Sequence, residues 1–272
     1  MSKHYTSIIS DLFGSFAAKR FSPSVQKMIN RSYVSLMGLD MHEFRAPESY
    51  PSLNALFTRA LEVERPIAGG ENAVIAPADS LITHFGKIRD GNAYQIKGME
   101  YGLRELLGAA YSGKLESLEG GEFINFYLSP KDYHRYHMPL DLIVKSLTHI
   151  PGKIFPVNMP LLRHKRDLFI ENERVVLECY DAKDRLHMIV LVGALNVGKM
   201  VVTFDDRVKT NSEIREPQHY DYDGKMLKKG ELFGWFEMGS TILILSQKGA
   251  IKPEVSINQK VKFGEEVAET LP

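Results

Sequence analysis

A serine follows a glycine directly before an apolar, β-branched run in the last part of the 272-residue chain. Gly239, Ser240 and Thr241 precede residues 242–245, whose Ile-Leu-Ile-Leu sequence predicts a buried strand. Glycine has no side chain, so its carbonyl is open to close approach, and the Ser240 hydroxyl lies within reach of the peptide bond between the two residues. Alone, this pattern is typical of a turn before a strand. With a base to take its proton, the hydroxyl could instead attack the Gly239 carbonyl.

Two other segments carry side chains of the kinds that activate a serine. His134 and His137 stand three residues apart, directly after Asp132 and Tyr133, and Asp79 ends a separate Ala-Pro-Ala-Asp segment. A histidine can act as a general base, and a carboxylate can fix its tautomer and stabilise the imidazolium. Two histidines at this spacing could also bind zinc, but a zinc site needs a third ligand, and no Cys or His cluster accompanies them. The pattern favours acid-base chemistry without a metal.

Together these segments resemble the phosphatidylserine decarboxylase proenzymes, a family whose members cut themselves to make a pyruvoyl cofactor. The resemblance runs in the same order along most of the chain, and it is carried by residues 56–59, 65–67, 76–79, 128–139, 150–153, 156–158, 172–174, 192–194, 197–198, 229–231, 234 and 239–241. Met238 stands where leucine is usual, which is a volume-conserving change. Ser80 stands where glycine is usual and places a side chain beside Asp79.

The resemblance implies a self-processing triad of Asp79, His137 and Ser240. His137 would deprotonate Ser240, and Asp79 would hold the His137 tautomer. The chain would be cut between Gly239 and Ser240 into a β chain of residues 1–239 and an α chain of residues 240–272. Ser240 would then become the pyruvoyl group at the new N-terminus.

The same resemblance implies the reaction and its remaining residues. Phosphatidylserine in a membrane would lose carbon dioxide to give phosphatidylethanolamine, with the pyruvoyl group as electron acceptor and no metal or dissociable cofactor. His134 would serve as the acid-base residue of this decarboxylation, and Asp132 and Tyr133 would support it or contact the substrate.

The composition is that of a folded protein without an unusual charge. Hydrophobic residues make up 44% of the chain, and Lys plus Arg equals Asp plus Glu at 34 each, so nucleic acid is not an expected partner. The single cysteine, Cys179, cannot form an internal disulfide and lies in a strand-like run, where we expect it to be buried. Asp11 interrupts the apolar residues that a signal peptide would need, and the apolar run at 188–195 is too short to span a bilayer. We therefore expect a peripheral protein at the cytoplasmic face of the cell membrane.

The first 60 residues have the periodicity of amphipathic helices. Ile8, Ile9, Leu12, Phe13 and Phe16 form one apolar stripe. A second helix is predicted to begin at the Ser-Pro pair of residues 22–23 and to end at residue 38, with an apolar face formed by Val25, Met28, Ile29, Tyr33 and Leu36. A third, short helix is predicted at 52–60. Such stripes commonly pack on a core, whereas a lipid substrate favours contact with an anionic membrane surface.

From about residue 73 the pattern changes to short β-branched runs separated by turn residues, which is typical of an antiparallel sheet. Residues 181–184 and 222–225 are predicted to be turns. We expect an α+β fold in which N-terminal amphipathic helices pack on a mainly antiparallel, β-sandwich-like catalytic core. Residues 1–272 would form one unit, with a helical, membrane-facing segment at 1–60 and the β-rich core at 61–272.

Two other functions fit parts of the pattern. The first is a Ser-His-Asp hydrolase of lipids or esters, in which Ser240 and the chain stay intact. The second is a membrane-binding β module without catalytic activity. The α and β chains of one precursor are the expected protein partners, and a homodimer is compatible with the sequence.

Overall fold

An antiparallel sheet of eight strands forms the centre of the fold in a computed structural model, which describes residues 14–96, 99–157, 159–194, 199–237 and 240–272. The strands in chain order are β1 (Ala73–Ile75), β2 (Ser80–Lys87), β3 (Asn92–Ile96), β4 (Met99–Gly102), β5 (Glu122–Leu128), β6 (Arg135–His137), β7 (Leu142–Ile150), β8 (Arg174–Tyr180), β9 (Leu186–Val192), β10 (Met200–Val202), β11 (Gln218–Leu227), β12 (Leu232–Phe236), β13 (Ser240–Ser246), β14 (Ile251–Pro253), β15 (Lys260–Val261) and β16 (Glu266–Thr270). The order across the central sheet is β11-β7-β8-β9-β13-β5-β2-β15, and all neighbouring strands run antiparallel.

Both faces of the central sheet are buried, as the continuous apolar sequence of β13 requires. Successive side chains of a strand point to opposite faces, so Ile242 and Ile244 belong to one apolar cluster, whereas Leu243 and Leu245 belong to another. The first cluster includes residues of two small sheets, β1-β16-β14 and β10-β12-β6. The second includes residues of the β3-β4 pair and of several short helices. The predicted α+β fold with a sandwich-like antiparallel core is confirmed.

The labelled α-helices are short apart from the first. They are α1 (Pro23–Met37), α2 (Leu53–Phe57), α3 (Leu103–Leu107), α4 (Leu115–Leu118), α5 (Met159–His164) and α6 (Leu168–Glu171), with 3₁₀ turns at Pro47–Ser49 and Ala109–Lys114. Helix α1 has the predicted boundaries, because Pro23 suits its first turn and Gly38 ends it with a left-handed φ of 63°. Helix α2 is shorter than the predicted 52–60, and Ser52 caps it by accepting a hydrogen bond from the Ala55 N–H at 3.1 Å.

The predicted apolar face of α1 divides into two parts. Ile29 and Tyr33 pack against a small cluster that includes Tyr50, Leu53 and Leu56. The rest of the face points to solvent, and its exposed fractions are 39% for Val25, 61% for Met28 and 84% for Leu36. The N-terminal helices therefore have a small core of their own and also present apolar side chains to the outside.

The earlier apolar stripe is only partly described. Ile8, Ile9, Leu12 and Phe13 lie outside the described residues, whereas residues 14–18 are helical and Phe16 is 45% exposed. Whether the whole stripe faces a membrane stays a prediction.

Of the two predicted turns, one is confirmed and one is wrong. Residues 181–184 connect β8 to β9, with a hydrogen bond from the Asp181 N–H to the Arg185 carbonyl at 3.2 Å. Residues 222–225 instead lie inside β11, where the pairing with β7 shifts register between Asp221 and Lys225. Gly224 adopts a φ of 67° there. A glycine with positive φ suits a bulge as well as a turn, so the same residue types allowed the strand to continue.

Candidate active site

Ser240 is the first residue of β13, between β5 and β9 at the middle of the central sheet. It lies opposite Leu128 of β5 and is fully buried, and its Oγ atom has no hydrogen-bond partner among the residues that the structure describes. A buried polar group without a partner costs roughly 1–3 kcal/mol. Such a hydroxyl is available for a chemical role. Met238 and Gly239 lie outside the described residues, and so does the peptide bond that is predicted to break.

The histidine segment runs beside the chain that leads to Ser240. Strand β6 pairs with β12, and the Phe236 N–H donates to the His134 carbonyl at 3.0 Å, four residues before Ser240. By strand alternation, Ser240 shares a face with Ile242, and that face packs against the cluster containing Tyr136 and Phe236. Serine and histidine segments that are about a hundred residues apart in sequence are thereby brought to the same side of the central sheet.

His134 is a buried, neutral imidazole with one unused nitrogen. Its Nδ1 atom lies 2.9 Å from the Asp132 carbonyl oxygen and therefore carries the proton, while Nε2 has no partner within the described part of the chain. The ring contacts Phe57 with a centroid separation of 4.1 Å. Burial, assisted by the positive charge of Arg59, lowers the His134 pKa to about 3. The free Nε2 lone pair can accept a proton or a hydrogen bond.

Both ring nitrogens of His137 have partners. Nδ1 donates to the Gly230 carbonyl at 2.8 Å, and Nε2 accepts from the Tyr133 hydroxyl at 3.0 Å. The ring stacks on Phe263 with a centroid separation of 3.7 Å. Burial lowers the His137 pKa to about 4, and the hydrogen bond to Gly230 opposes that shift. In this geometry Gly230 sets the tautomer, where the sequence led us to expect Asp79.

Asp79 is held by an arginine and by the backbone. Arg65 donates to both carboxylate oxygens, and the Phe263 N–H donates to Oδ1 at 2.9 Å. Arg65 also donates to both oxygens of Glu43, at 2.8 and 2.9 Å, and the Glu43 pKa is lowered to about 2 mainly by these bonds. Since the ring of Phe263 stacks on His137, Asp79 is connected to that histidine through Phe263 rather than by a direct hydrogen bond.

Asp132 and Tyr133, the two residues expected to support the histidines, lie in the loop between β5 and β6. Asp132 Oδ2 accepts from the Ser129 N–H at 2.7 Å, and burial raises the Asp132 pKa. Burial also raises the Tyr133 pKa to about 12, so its hydroxyl keeps its proton and can donate to His137. Ser80, beside Asp79, begins β2 without a left-handed backbone conformation, and its hydroxyl donates to the Ala78 carbonyl at 3.3 Å. The side chain that replaces the usual glycine is thus accommodated.

A cavity of about 640 Å³ opens beside these residues. Its lining includes Arg59, Arg65, Asp79, Lys131, Asp132 and Lys260. Ser129 and Tyr127 also line it, and they flank Leu128, the residue that pairs with Ser240. The cavity therefore lies next to the strand that contacts Ser240, and it combines positive and negative side chains.

Arg59, Arg65, Phe57 and Phe263 were not assigned roles from the sequence. Three of them belong to segments that carried the resemblance, at 56–59 and 65–67, so their position was a usable signal. Phe263 had no such signal, because its contact with His137 depends on the pairing of distant strands. In the part of the chain that the structure describes, no three His, Cys, Asp or Glu side chains are grouped as metal ligands would be.

Comparisons with known proteins all point to one family. The family model for phosphatidylserine decarboxylase matches residues 53–269. A phosphatidylserine decarboxylase proenzyme of Helicobacter pylori is 45% identical over 263 residues, which cover 96% of each chain. The proenzyme of Campylobacter jejuni is 42% identical over 264 residues, covering 96% of this chain and 97% of that one. That of Marinobacter nauticus is 35% identical over 263 residues, covering 94% and 91%.

Proposed function

This chain belongs to the phosphatidylserine decarboxylase family, and we propose that Ser240 becomes its pyruvoyl cofactor through self-cleavage after Gly239. It is a carboxy-lyase of phospholipid biosynthesis that converts phosphatidylserine to phosphatidylethanolamine and carbon dioxide. The comparisons give no support to an intact-chain hydrolase or to a module without activity. The observation that carries the cofactor proposal is the buried Ser240 hydroxyl, which has no partner among the described residues.

Self-processing would begin at this hydroxyl. Its oxygen attacks the Gly239 carbonyl, and the backbone amide becomes an ester as the Ser240 nitrogen takes up a proton. Loss of the Ser240 α-proton then expels the Gly239 carboxylate and leaves a dehydroalanine. Tautomerisation and addition of one water release ammonia and leave the ketone. We assign the first deprotonation to His137, with Asp79 as its support, and the Tyr133 hydroxyl at Nε2 would relay the proton or move aside.

The pyruvoyl group would supply an electron sink for the bond that breaks when carbon dioxide leaves. The chain's own residues fit such a group, since Ser240 Oγ and His134 Nε2 are both buried without partners among the described residues. His134 would hold or deliver the proton at Nε2, because its Nδ1 is already committed to Asp132. Phe57, packed on the His134 ring, would keep water away from this nitrogen. Asp132 and Tyr133 would keep the two histidines in place.

An intact-mass measurement of the purified protein tests the cofactor proposal. We expect two species, residues 1–239 and residues 240–272, with the smaller one blocked to Edman sequencing. Borohydride in the presence of an amine should add the mass of the reduced adduct to the smaller species only. Ser240→Ala is the matched control and should stay a single chain. A wild-type protein that remains one 272-residue species yet decarboxylates phosphatidylserine would rule the pyruvoyl mechanism out.

We also propose that the enzyme works from the cytoplasmic face of the membrane, bound to an anionic lipid surface. No helix within the described residues is long and apolar enough to cross a bilayer. Val25, Met28 and Leu36 are exposed on one side of α1, and Lys27, the neighbour of Met28 in sequence, is also exposed, about 100° around the helix from it. An apolar face with adjacent positive charge is typical of interfacial helices. A homodimer is part of the same proposal, and the exposed edge strand β11 is one surface that could take a second copy.

A further inference from the structure

Arg59 is a buried arginine with unused donors. The residue is only 2% exposed, and its Nη2 atom donates to the carbonyl oxygens of Lys131 at 2.8 Å and Asp132 at 3.3 Å. Its Nε and Nη1 atoms have no hydrogen-bond partner within the described residues, and no carboxylate there forms a salt bridge with it. A buried guanidinium that lacks a directly bonded carboxylate is costly. Such a group is therefore ready to receive an anion.

Arg174 shows what a purely structural buried arginine looks like in the same fold. It is 5% exposed, and all three of its side-chain nitrogens donate to backbone carbonyls. These acceptors belong to Glu105, Leu106, Ile170 and Asn172, which are not part of the cavity lining. Arg59 differs in both respects, because two of its nitrogens are unsatisfied and it lines the 640 Å³ cavity.

Three carboxylates that line the same cavity are bonded to other groups. Glu43 and Asp79 both bond to Arg65, and Asp132 accepts from the Ser129 backbone. At the cavity's surface, Lys131 and Lys260 are exposed and form no salt bridge with the residues that the structure describes. Arg59 is thus the inner member of a set of cations that form no salt bridge with the described residues, and the lysines lie nearer to solvent.

The guanidinium is also fixed in place beside the reacting groups. The Asp132 carbonyl oxygen contacts Arg59 Nη2 and His134 Nδ1, so one atom joins the arginine to the histidine of the proposed decarboxylation. Phe44 lies against the guanidinium at 4.4 Å from the ring centroid. A planar cation held on one side by an aromatic ring presents its free N–H groups in a defined direction.

We propose that Arg59 binds the phosphodiester of the lipid headgroup, with Lys131 and Lys260 assisting at the mouth of the cavity. This inference rests on the proposed function, which supplies the lipid. The headgroup contains two anions, but its carboxylate loses charge as carbon dioxide leaves, so an arginine there would favour the ground state. The phosphodiester keeps its charge throughout the reaction. A fork of two N–H donors matches its oxygens.

The test is calorimetric titration with a short-chain, water-soluble phosphatidylglycerol, which has the phosphodiester but neither an amine nor a carboxylate. Arg59→Met should raise its Kd on the order of 10- to 100-fold, as expected for the loss of charge-assisted hydrogen bonds. Arg59→Lys should give an intermediate loss, because it keeps the charge but not the fork. Arg174→Lys is the buried-arginine control and should lower the thermal midpoint without changing Kd.

A second pair of variants tests the mouth of the cavity without touching a buried group, and it keeps the proposal testable if Arg59→Met does not fold. Lys131→Gln with Lys260→Gln should raise Kd and flatten its salt dependence, whereas the exposed pair Lys145→Gln with Lys225→Gln should not. An unchanged Kd in folded Arg59 variants, or an unchanged Kd in the Lys131 and Lys260 variant, overturns the proposal.

Substrate kinetics distinguish which of the two headgroup anions, the phosphodiester or the carboxylate, Arg59 binds. If Kd for phosphatidylglycerol is unchanged while KM for short-chain phosphatidylserine rises, Arg59 binds the carboxylate and the phosphodiester assignment is wrong. Because the titration needs no turnover, it reports on this subsite even in a protein that fails to cut itself or to decarboxylate. Failure of the proposed function is then seen in the mass and activity measurements alone.

Discussion

The Nε2 atom of His134 has no hydrogen-bond partner among the described residues, whereas the Nε2 atom of His137 lies 3.0 Å from the Tyr133 hydroxyl. Both rings are buried, and both donate from Nδ1 to a backbone carbonyl. The two histidines therefore share a tautomer and differ in what their second nitrogen can do at once. His134 can accept a proton directly at Nε2. His137 can accept one there only if the Tyr133 hydroxyl relays the proton or moves away from Nε2.

Substitution of each histidine should separate self-cleavage from decarboxylation. We expect His137→Ala and Asp79→Asn to leave the precursor uncut, because the base and its support are lost. His134→Ala should be cut nearly normally but decarboxylate about 10²–10⁴-fold more slowly, as is usual for loss of a positioned acid-base group. Mass spectrometry follows cleavage, and release of carbon dioxide follows activity. Cleavage that stops in His134→Ala and continues in His137→Ala would reverse the assignment, and the free Nε2 of His134 would then explain it.

The same burial predicts that the protein loses stability in mild acid. The pKa of His134 is lowered to about 3 and that of His137 to about 4, below the value of about 6.5 in an unfolded chain. Between about pH 4 and 6.5 the unfolded chain binds protons that the folded protein does not, so the free energy of unfolding falls as the pH is lowered. Each histidine contributes a slope of about 1.4 kcal/mol per pH unit in this window and none above it.

Urea unfolding of the Ser240→Ala protein at several pH values measures this slope without the complication of a cut chain. His137→Asn should reduce the slope between pH 4.5 and 6 by about 1.4 kcal/mol per unit. Above pH 7 the slope should be the same in both proteins, which serves as the internal control. A slope that His137→Asn leaves intact in the acid range would mean that this histidine is protonated in the folded protein.

Arg65 should matter for both stability and cleavage, because it holds Asp79 and Glu43 with a side chain that is 6% exposed. Arg65→Met would leave Asp79 without a cation, although Glu43 would keep its bond to Lys262, so the change should cost on the order of 3 kcal/mol in the free energy of unfolding. Cleavage should slow as well, and Arg65→Lys should restore part of each. Urea unfolding and the cleavage rate are the two measurements.

The exposed pair of Lys252 and Glu254 offers a control for Arg65. Lys252 Nζ lies 2.9 Å from Glu254 Oε1, and the two side chains are 63% and 41% exposed. Lys252→Met should therefore leave both the free energy of unfolding and the cleavage rate nearly unchanged. Equal losses for Arg65→Met and Lys252→Met would contradict the view that burial of the Arg65 network sets its importance.

Membrane attachment is tested by charges on the outer face of α1. Met28→Asp with Leu36→Asp should weaken binding to vesicles that contain phosphatidylserine, since both side chains are exposed and would otherwise enter the interface. Self-cleavage and activity on a short-chain, soluble substrate should persist. Met226→Asp, at a 47% exposed methionine on β11, is the control. Undiminished vesicle binding by the double variant would exclude this face, and Leu12→Asp with Phe16→Asp then tests the earlier stripe.

Local signals in the sequence predicted the elements better than the contacts between them. The Ser-Pro pair at 22–23 and Gly38 gave both ends of α1, because capping depends on residues within one turn. Gly224 misled the prediction, since its positive φ serves a bulge within β11 as readily as a turn. A glycine alone does not say whether the neighbouring strand continues.

The site depends on pairings that sequence spacing does not encode. Ser240 lies opposite Leu128, and the ring of Phe263, which is close to residue 272 in sequence, stacks on His137. The roles of Asp79 and His137 came from a resemblance, and the sequence could not reveal that Gly230 and Tyr133 occupy the ring nitrogens of that histidine. Nor could it show that Arg59 is buried with free donors, because burial follows from packing of the whole fold.

The position of β13 between β5 and β9 determines what a cut before Ser240 would do to the molecule. Residues 240–272 supply one inner strand and one edge strand of the central sheet, and two strands of a smaller sheet. The two chains would share the central sheet, so they could not dissociate without breaking the hydrogen bonds that β13 makes to β5 and to β9. Folding of the precursor is a reaction of one chain, whereas refolding of the cut protein would need two fragments to meet and would depend on their concentration. The mature enzyme, once unfolded in dilute solution, would thus be unable to refold as a single chain and would refold only as fast as its two chains associate.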